Sequence, residues 1–383
     1  MLWRRRSRRP EGRSGPGLSA WRKKGATARL RLVTVRRVSN PPNPWTTTEV
    51  EWLGEPPTAE LEVYEEEAKR ALAENESPDV GFRWSLNPYR GCFHACGYCY
   101  ARSSHQYLGF GAGTDFDRKI VVKTNIAERL REEFLRPSWK GDVIAFSGNT
   151  DCYQPLEAVY GLTRKSLEIC REFRNPVGII TKGALVRRDV PLLAAMSRET
   201  KVSVTLSIPF ADDATGRAVE PGASLPSQRF ETLRMLSDAG IETGIGIAPV
   251  IPGLNDGHVA PLLQRARAAG ARSAFLVLIR LSGQTLLVFE ERLAEAFPDR
   301  ARKIWNAIEE MRGGRRNDTR FHDRMIGRGP RWNAIQTLFE LECRRLGLNT
   351  GDEDSGDQED AEGERSPFRR PSPQGELFPG GSG

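Results

Sequence analysis

The chain of 383 residues contains no stretch approaching the ~18 consecutive apolar residues of a membrane span, so no membrane-spanning helix and no membrane partner are expected. Its basic beginning also lacks the apolar core of a secretory or twin-arginine signal. Cysteine is scarce, at six residues, and Cys152, Cys170 and Cys343 are scattered, which is not the pattern of a disulfide framework. A reducing, cytoplasmic setting fits these absences. Charge is scarce where a nucleic-acid grip would need it. Residues 1–37 hold thirteen Lys and Arg against Glu11 alone, and residues 351–383 hold nine acids against three Arg. Of the formal +7, about +1 is therefore left to residues 38–350. A folded domain built to clamp a phosphate backbone normally has a basic face, so the high pI belongs to a terminal arm. That arm is read as disordered, or as a flexible segment for nucleic acid or anionic surfaces.

What is present is concentrated in residues 87–102, NPYRGCFHACGYCYAR, where Cys92, Cys96 and Cys99 fall within eight residues. Three soft thiolates with no fourth cysteine nearby suit an iron–sulfur cube that keeps one iron free of protein ligands. The alternative is a structural zinc completed by His94, His105 or Cys152. Zinc sites usually pair short Cys-x2-Cys knuckles or add a histidine pair, and the sequence has no second unit of either kind.

Further along, short apolar or β-branched runs recur at 143–147, 177–181, 202–208, 244–250 and 274–280, with a further strand expected at 81–86. Amphipathic helices are expected at 125–136, 155–173, 189–198, 226–239 and 257–269, and helical character at 61–75. Such alternation predicts an α/β fold with a parallel sheet covered by helices, and six strands are too few to close an eightfold barrel. Residues 286–312 and 330–346 read as helical additions. Between them lies a polar, basic stretch, either a loop closing the open side of the barrel or a plain connection.

Ligands of such folds sit at the carboxyl ends of the strands, which directs attention to the residues there. After the second strand comes FSGNTDCYQP, where Gly148 permits close backbone approach and Ser147, Asn149, Thr150 and Asp151 offer polar groups, or else cap an ordinary turn. Lys182 follows the third strand, Ser207 ends the fourth, and Arg280 follows the last. Arg102 and His105 are read as facing either the pocket or the core, and Arg315, Arg316, Arg320 and His322 as the folded region's one candidate phosphate patch.

The spacing Cys-x3-Cys-x2-Cys flanked by Tyr98 and Tyr100, with SGNTDCYQP, ITK, SIP and IPGLND, resembles the radical S-adenosylmethionine (SAM) superfamily, in its spore-photoproduct-lyase-like branch, over about residues 78–290. The resemblance implies an open (β/α)6 partial TIM barrel over 78–290, a basic disordered arm over 1–60, a helical extension over 291–349 and an acidic disordered tail over 350–383. It implies an enzyme carrying a [4Fe-4S] cluster on Cys92, Cys96 and Cys99, with SAM on the open iron. Tyr98, Ser147, Gly148, Asn149, Lys182 and Ser207 would bind the cofactor. Tyr100 and Cys152 would be catalytic. The lyase's hydrogen-donor cysteine corresponds in position to Gly148 here, so Cys152, four residues on, is either a substitute donor or inert packing. Implied partners are a one-electron donor such as flavodoxin or ferredoxin and an unidentified substrate, nucleic acid included, and the enzyme is expected to be a monomer. The competing expectation is a zinc-stabilised nucleic-acid-binding protein without radical chemistry.

Overall fold

The computed structural model describes residues 60–350 and 366–371, with the backbone of Arg22–Lys23. The expectations for the basic arm and the acidic tail otherwise lie outside the described residues. In chain order the strands are β1 (Arg22–Lys23), β2 (Glu62–Glu66), β3 (Leu72–Glu74), β4 (Trp84–Leu86), β5 (Tyr89–Arg90), β6 (Lys119–Lys123), β7 (Ile144–Phe146), β8 (Val177–Thr181), β9 (Val202–Ser207), β10 (Glu242–Val250) and β11 (Ser273–Leu278). The helices are α1 (Thr114–Arg118), α2 (Ile126–Leu135), α3 (Glu157–Tyr160), α4 (Leu162–Glu172), α5 (Val190–Ser197), α6 (Asp213–Val219), α7 (Pro226–Asp238), α8 (Val259–Ala268), α9 (Thr285–Ala296), α10 (Ala301–Met311) and α11 (Gly329–Leu346).

Six strands run parallel in the order β11-β10-β9-β8-β7-β4, and β3 adds antiparallel to β4 at the edge. The sheet does not close, so the fold is the expected α/β open barrel. Its strands form because runs such as Val177–Thr181 bury alternate side chains against the helices and the others against the interior. The helix expected over 155–173 is two, because Gly161 adopts a left-handed φ of 62° that ends α3 and starts α4.

The helical reading of 61–75 is corrected. Its acidic residues instead pair as strand β2 along β6, Glu62 opposite Lys119 and Glu66 opposite Lys123. A basic strand more than fifty residues away supplies cross-strand partners that outweigh local helix propensity. The resulting small sheet, β1-β2-β6-β5, lies beside the main one and was not anticipated.

One hydrophobic core runs from Val63 to Leu348, and α10 and α11 contribute Ile304, Trp305, Ile308, Trp332 and Ile335 to it. The basic stretch between these helices spans the two edges of the main sheet. At the β11 edge Leu278 N donates to Met325 O at 2.9 Å and Arg312 to Ile279 O at 2.8 Å. Toward β3, His322 N donates to Asp79 at 2.6 Å, and Arg324 engages Ser77 and Asp79. It is a lacing carried by Arg312 and Arg324, while Arg320 and Arg328 pair within the stretch itself. Residues 366–371 return to the outer face, where Phe368 stacks on Phe173 and packs edge-on to Phe134. Among the described residues no helix is long and apolar enough to cross a membrane.

Candidate functional site

The cysteine loop leaves the small sheet at Gly91, whose φ of 76° and whose lack of a Cβ are both required: a Cβ would stand 2.9 Å from Phe116 O. Cys92 N donates to that same carbonyl at 2.9 Å. Gln154 holds the strand-proximal part, accepting from Phe93 N at 2.9 Å and donating to Gly91 O at 3.1 Å. Gly97 N reaches Val219 O at 3.1 Å, and Gly222 N reaches His94 O at 3.0 Å. Arg102, fully buried at the start of the 3-10 helix Tyr100–Leu108, donates to Cys96 O at 2.8 and 3.0 Å, to Ala112 O and Gly113 O at 3.0 Å, and to Asp117 at 2.8 Å. Asp117 also meets Arg292 at 3.4 Å. The loop's backbone is thus tied on every side, while its three sulfurs stay unbridged and buried or half-buried.

Burial pushes all three thiols up, and nearby negative charge adds to it, Asp151 and the other thiols at Cys92 and Glu220 and Cys99 at Cys96. The carboxylate neighbours of the loop are otherwise engaged. Burial presses the Asp151 carboxyl upward, yet His94 at 3.3 Å, Lys182 N at 2.7 Å and the Thr181 hydroxyl at 2.6 Å together hold it below the ordinary carboxylate range. Among the described residues no three His, Cys, Asp or Glu side chains group tightly enough for a single ion. By donor type alone, three soft thiolates fit a cube that keeps one iron free of protein ligands.

Beside the loop lies a buried charge cluster. Lys182 Nζ donates to Ser207 Oγ at 2.8 Å and stands 3.9 Å from Glu220. Arg229 donates to Glu220 at 2.5 Å and to Ser207 O at 2.8 Å, and the Tyr98 hydroxyl donates to the other Glu220 oxygen. Burial, then the Glu220 charge, raises the Tyr98 phenol well above its ordinary value, which keeps it a donor. Buried Arg229 and half-buried Lys182 share one carboxylate. The unit of positive charge left over favours an anionic ligand here. Sequence reasoning found Tyr98, Lys182 and Ser207 but missed Glu220 and Arg229, because charged residues in a polar helix segment carry no sign of burial.

The turn after β7 brings the remaining candidates together. Ser147 takes a φ of 77°, rare for a side-chain-bearing residue, and its hydroxyl accepts from Cys152 N at 2.8 Å. A Cβ on Gly148 would lie 2.8 Å from Ser85 Cβ, and Gly148 O accepts from the Tyr100 hydroxyl at 2.8 Å. Asn149 N donates to Asn87 at 2.8 Å, and Thr150 donates to Tyr89 O at 2.7 Å. Tyr100 is 47% exposed, whereas Cys152 is wholly buried and its thiol is pushed up by burial and by Asp151. His105 is buried among Phe110 and Phe116 rather than turned to the pocket. The candidate phosphate patch is largely neutralised by ion pairs: Arg316 with Glu290 and Glu309, Arg320 with Asp318. A separate hollow of about 530 Å³ beside α4 and α5 lies away from the cysteines, its Arg164, Glu168, Arg171 and Glu199 linked in ion pairs.

Residues 86–266 match the family model of the Radical SAM superfamily. An uncharacterized protein of Mycobacterium tuberculosis is 41% identical over 220 residues, 57% of this chain and 65% of that protein, so the match spans just under two thirds of the relative. A protein of Pseudomonas phage M6 described as a radical SAM Nalpha-GlyT isomerase is 26% identical over 231 residues, 59% of this chain and 46% of its own length. Among solved structures, spore photoproduct lyase complexed with dinucleoside spore photoproduct superposes with a TM-score of 0.56 at 16% identity, over 78% of this chain and 86% of that one. At that identity the likeness is one of fold.

Proposed function

We propose that this chain, which matches the Radical SAM superfamily model over residues 86–266 and shares the fold of spore photoproduct lyase, is a radical SAM enzyme, that Cys92, Cys96 and Cys99 hold a [4Fe-4S] cluster and that the polar groups at the strand ends bind SAM. When bound, the pair supplies a one-electron cleavage of SAM and a carbon radical that removes hydrogen from substrate. The residues do the rest. Lys182, backed by Ser207 and carrying the surplus charge left by Glu220 and Arg229, is suited to SAM's carboxylate. The turn of Ser147, Gly148 and Asn149, held by Gly148 packing against Ser85, is assigned to SAM's amino group. Tyr98 fixes Glu220 from beneath, and Tyr100 closes over the turn. Cys152, buried with its backbone bonded to Ser147 and Thr163, is assigned to packing.

The observation that carries this reading is a loop whose backbone is tied at Gly91, Cys92, Phe93, His94, Cys96 and Gly97 while three buried or half-buried sulfurs remain unbridged next to two cations that share one carboxylate. Reduction would come from an external donor such as flavodoxin or ferredoxin in the cytoplasm. The lyase relative is solved with a dinucleoside, and nucleic acid is the first substrate class to try here. Anaerobic reconstitution should give about four irons and four sulfides per chain, and reduced protein with SAM should release 5′-deoxyadenosine. Stoichiometric zinc without SAM cleavage would overturn the reading in favour of a zinc-stabilised binding protein.

A further inference from the structure

Two cations stand at the carboxyl ends of the parallel strands. Lys182, after β8, is committed to Ser207 and Glu220. Arg280, two residues beyond β11, has a buried Nε with no hydrogen-bond partner, and among the described residues its guanidinium makes no hydrogen bond or ion pair. The arginines around it are engaged. Arg312 donates to the carbonyls of Ile279, Asp323, Arg324 and Ile326, Arg324 pairs with Asp79, and Arg328 pairs with Asp323 at 2.7 Å. Arg280 instead stands over the Tyr100 ring, its guanidinium carbon 5.9 Å from the centroid. That ring is anchored through its hydroxyl to Gly148 O, on the turn assigned above to SAM.

A guanidinium stays charged in any protein setting, and its planar fork matches an oxyanion. Here burial and the Arg324 charge both work against the cation, and the adjacent Tyr100 and Asp79 only partly offset them. A half-buried cation with an open fork, held at the mouth of a site by an aromatic face, is suited to a ligand that arrives with its own negative charge. The cofactor's carboxylate does not need it, since Lys182 and Arg229 already exceed Glu220 by one charge.

We propose that Arg280, backed by Tyr100, binds an oxyanion of the substrate, a phosphate or a carboxylate. The identification of that anion as substrate rests on the radical SAM reading; the binding itself does not. The test is phenylglyoxal labelling of the full-length reconstituted enzyme, read at Arg280 by peptide mass spectrometry. Phosphate or succinate should slow labelling at least fivefold over chloride at equal ionic strength, while saturating SAM should change it less than twofold. Protection by phosphate alone assigns a phosphorylated substrate, and by succinate alone a carboxylated one. In calorimetric titrations R280Q should weaken the protecting anion at least tenfold, with iron content, SAM affinity and thermal midpoint unchanged. No protection beyond chloride, or equal protection by SAM, would overturn the proposal. Protein that loads no iron and cleaves no SAM fails the earlier reading, yet its labelling is still measurable on the apo chain.

Discussion

Replacing Arg102 by methionine should be among the most damaging single changes to the cysteine loop. The side chain is fully buried and serves five acceptor contacts at 2.8–3.0 Å, four on the carbonyls of Cys96, Ala112 and Gly113 and one on Asp117. Breaking one partner of a buried ion pair costs about 3–5 kcal/mol, because the other charge is left uncompensated. Each buried carbonyl without its donor adds about 1–3 kcal/mol where water cannot enter. Arg292, 3.4 Å from Asp117, recovers part of the first term. The net loss should be at least about 4 kcal/mol, a large share of the roughly 5–15 kcal/mol that stabilises a typical domain. Urea unfolding of the apo chain measures it. R102K should not rescue, since one ammonium cannot reach acceptors spread around a planar fork. The double variant R102M/D117N should be more stable than R102M by about 1–3 kcal/mol, because it removes the stranded charge. A loss under about 1 kcal/mol in R102M, or a double variant no better than the single one, would refute the argument.

The remaining predictions concern pH, shape and the thiol. His105 is buried beside Phe110 and Phe116, and desolvation, only partly offset by Asp115, lowers its pKa to about 4. A histidine depressed in the fold takes up its proton more readily when unfolded, so its neutral form costs nothing above about pH 6.5 and stability falls as pH drops from there toward 4. Wild type should lose up to about 3 kcal/mol across that window and H105F should not, as read from urea midpoints at stepped pH; parallel curves would refute the assignment. A Cβ at Gly222 would lie 2.0 Å from Phe93 O, so G222A must push the cysteine loop. Reconstituted G222A should hold less than half the iron of wild type, and equal iron would contradict the packing. C152A should release 5′-deoxyadenosine within threefold of wild type; a loss beyond tenfold would make Cys152 a participant.

The parallel sheet was legible because each strand is a short apolar run between amphipathic stretches, two of which are followed by glycines, Gly240 and Gly270, in the left-handed region. The cysteine loop was legible because three soft ligands in eight positions have few chemical uses. Strand β2 was not, since EVYEE looks like a charged helix until Lys119 and Lys123 are placed opposite it. Glu220, Arg229 and Asp117 were missed for a related reason. A charge that will be buried reads in sequence like one that will be solvated, and only its partner, 9 residues on for Glu220 and 15 residues back for Asp117, tells them apart. The basic stretch from 312 to 328 was legible as basic, but Arg312 and Arg324 are spent on the sheet's two edges and Arg320 and Arg328 on aspartates within the stretch.

Residues 366–371 sit on the ends of two helices. Arg370 donates to Phe134 O, Arg136 O and Trp139 O at the close of α2, Arg369 N donates to Phe173 O at the close of α4, and Phe368 lies between their terminal rings. These are carbonyls that a helix cannot satisfy by itself. A single cleavage anywhere from 351 to 365 would leave every one of those contacts intact in principle, yet change them from a tethered association into a bimolecular one. The severed C-terminal fragment would then have to be present at about millimolar concentration to hold its seat. Proteolytic history, more than any mutation in the barrel, would decide whether preparations of this protein keep those two helix ends covered.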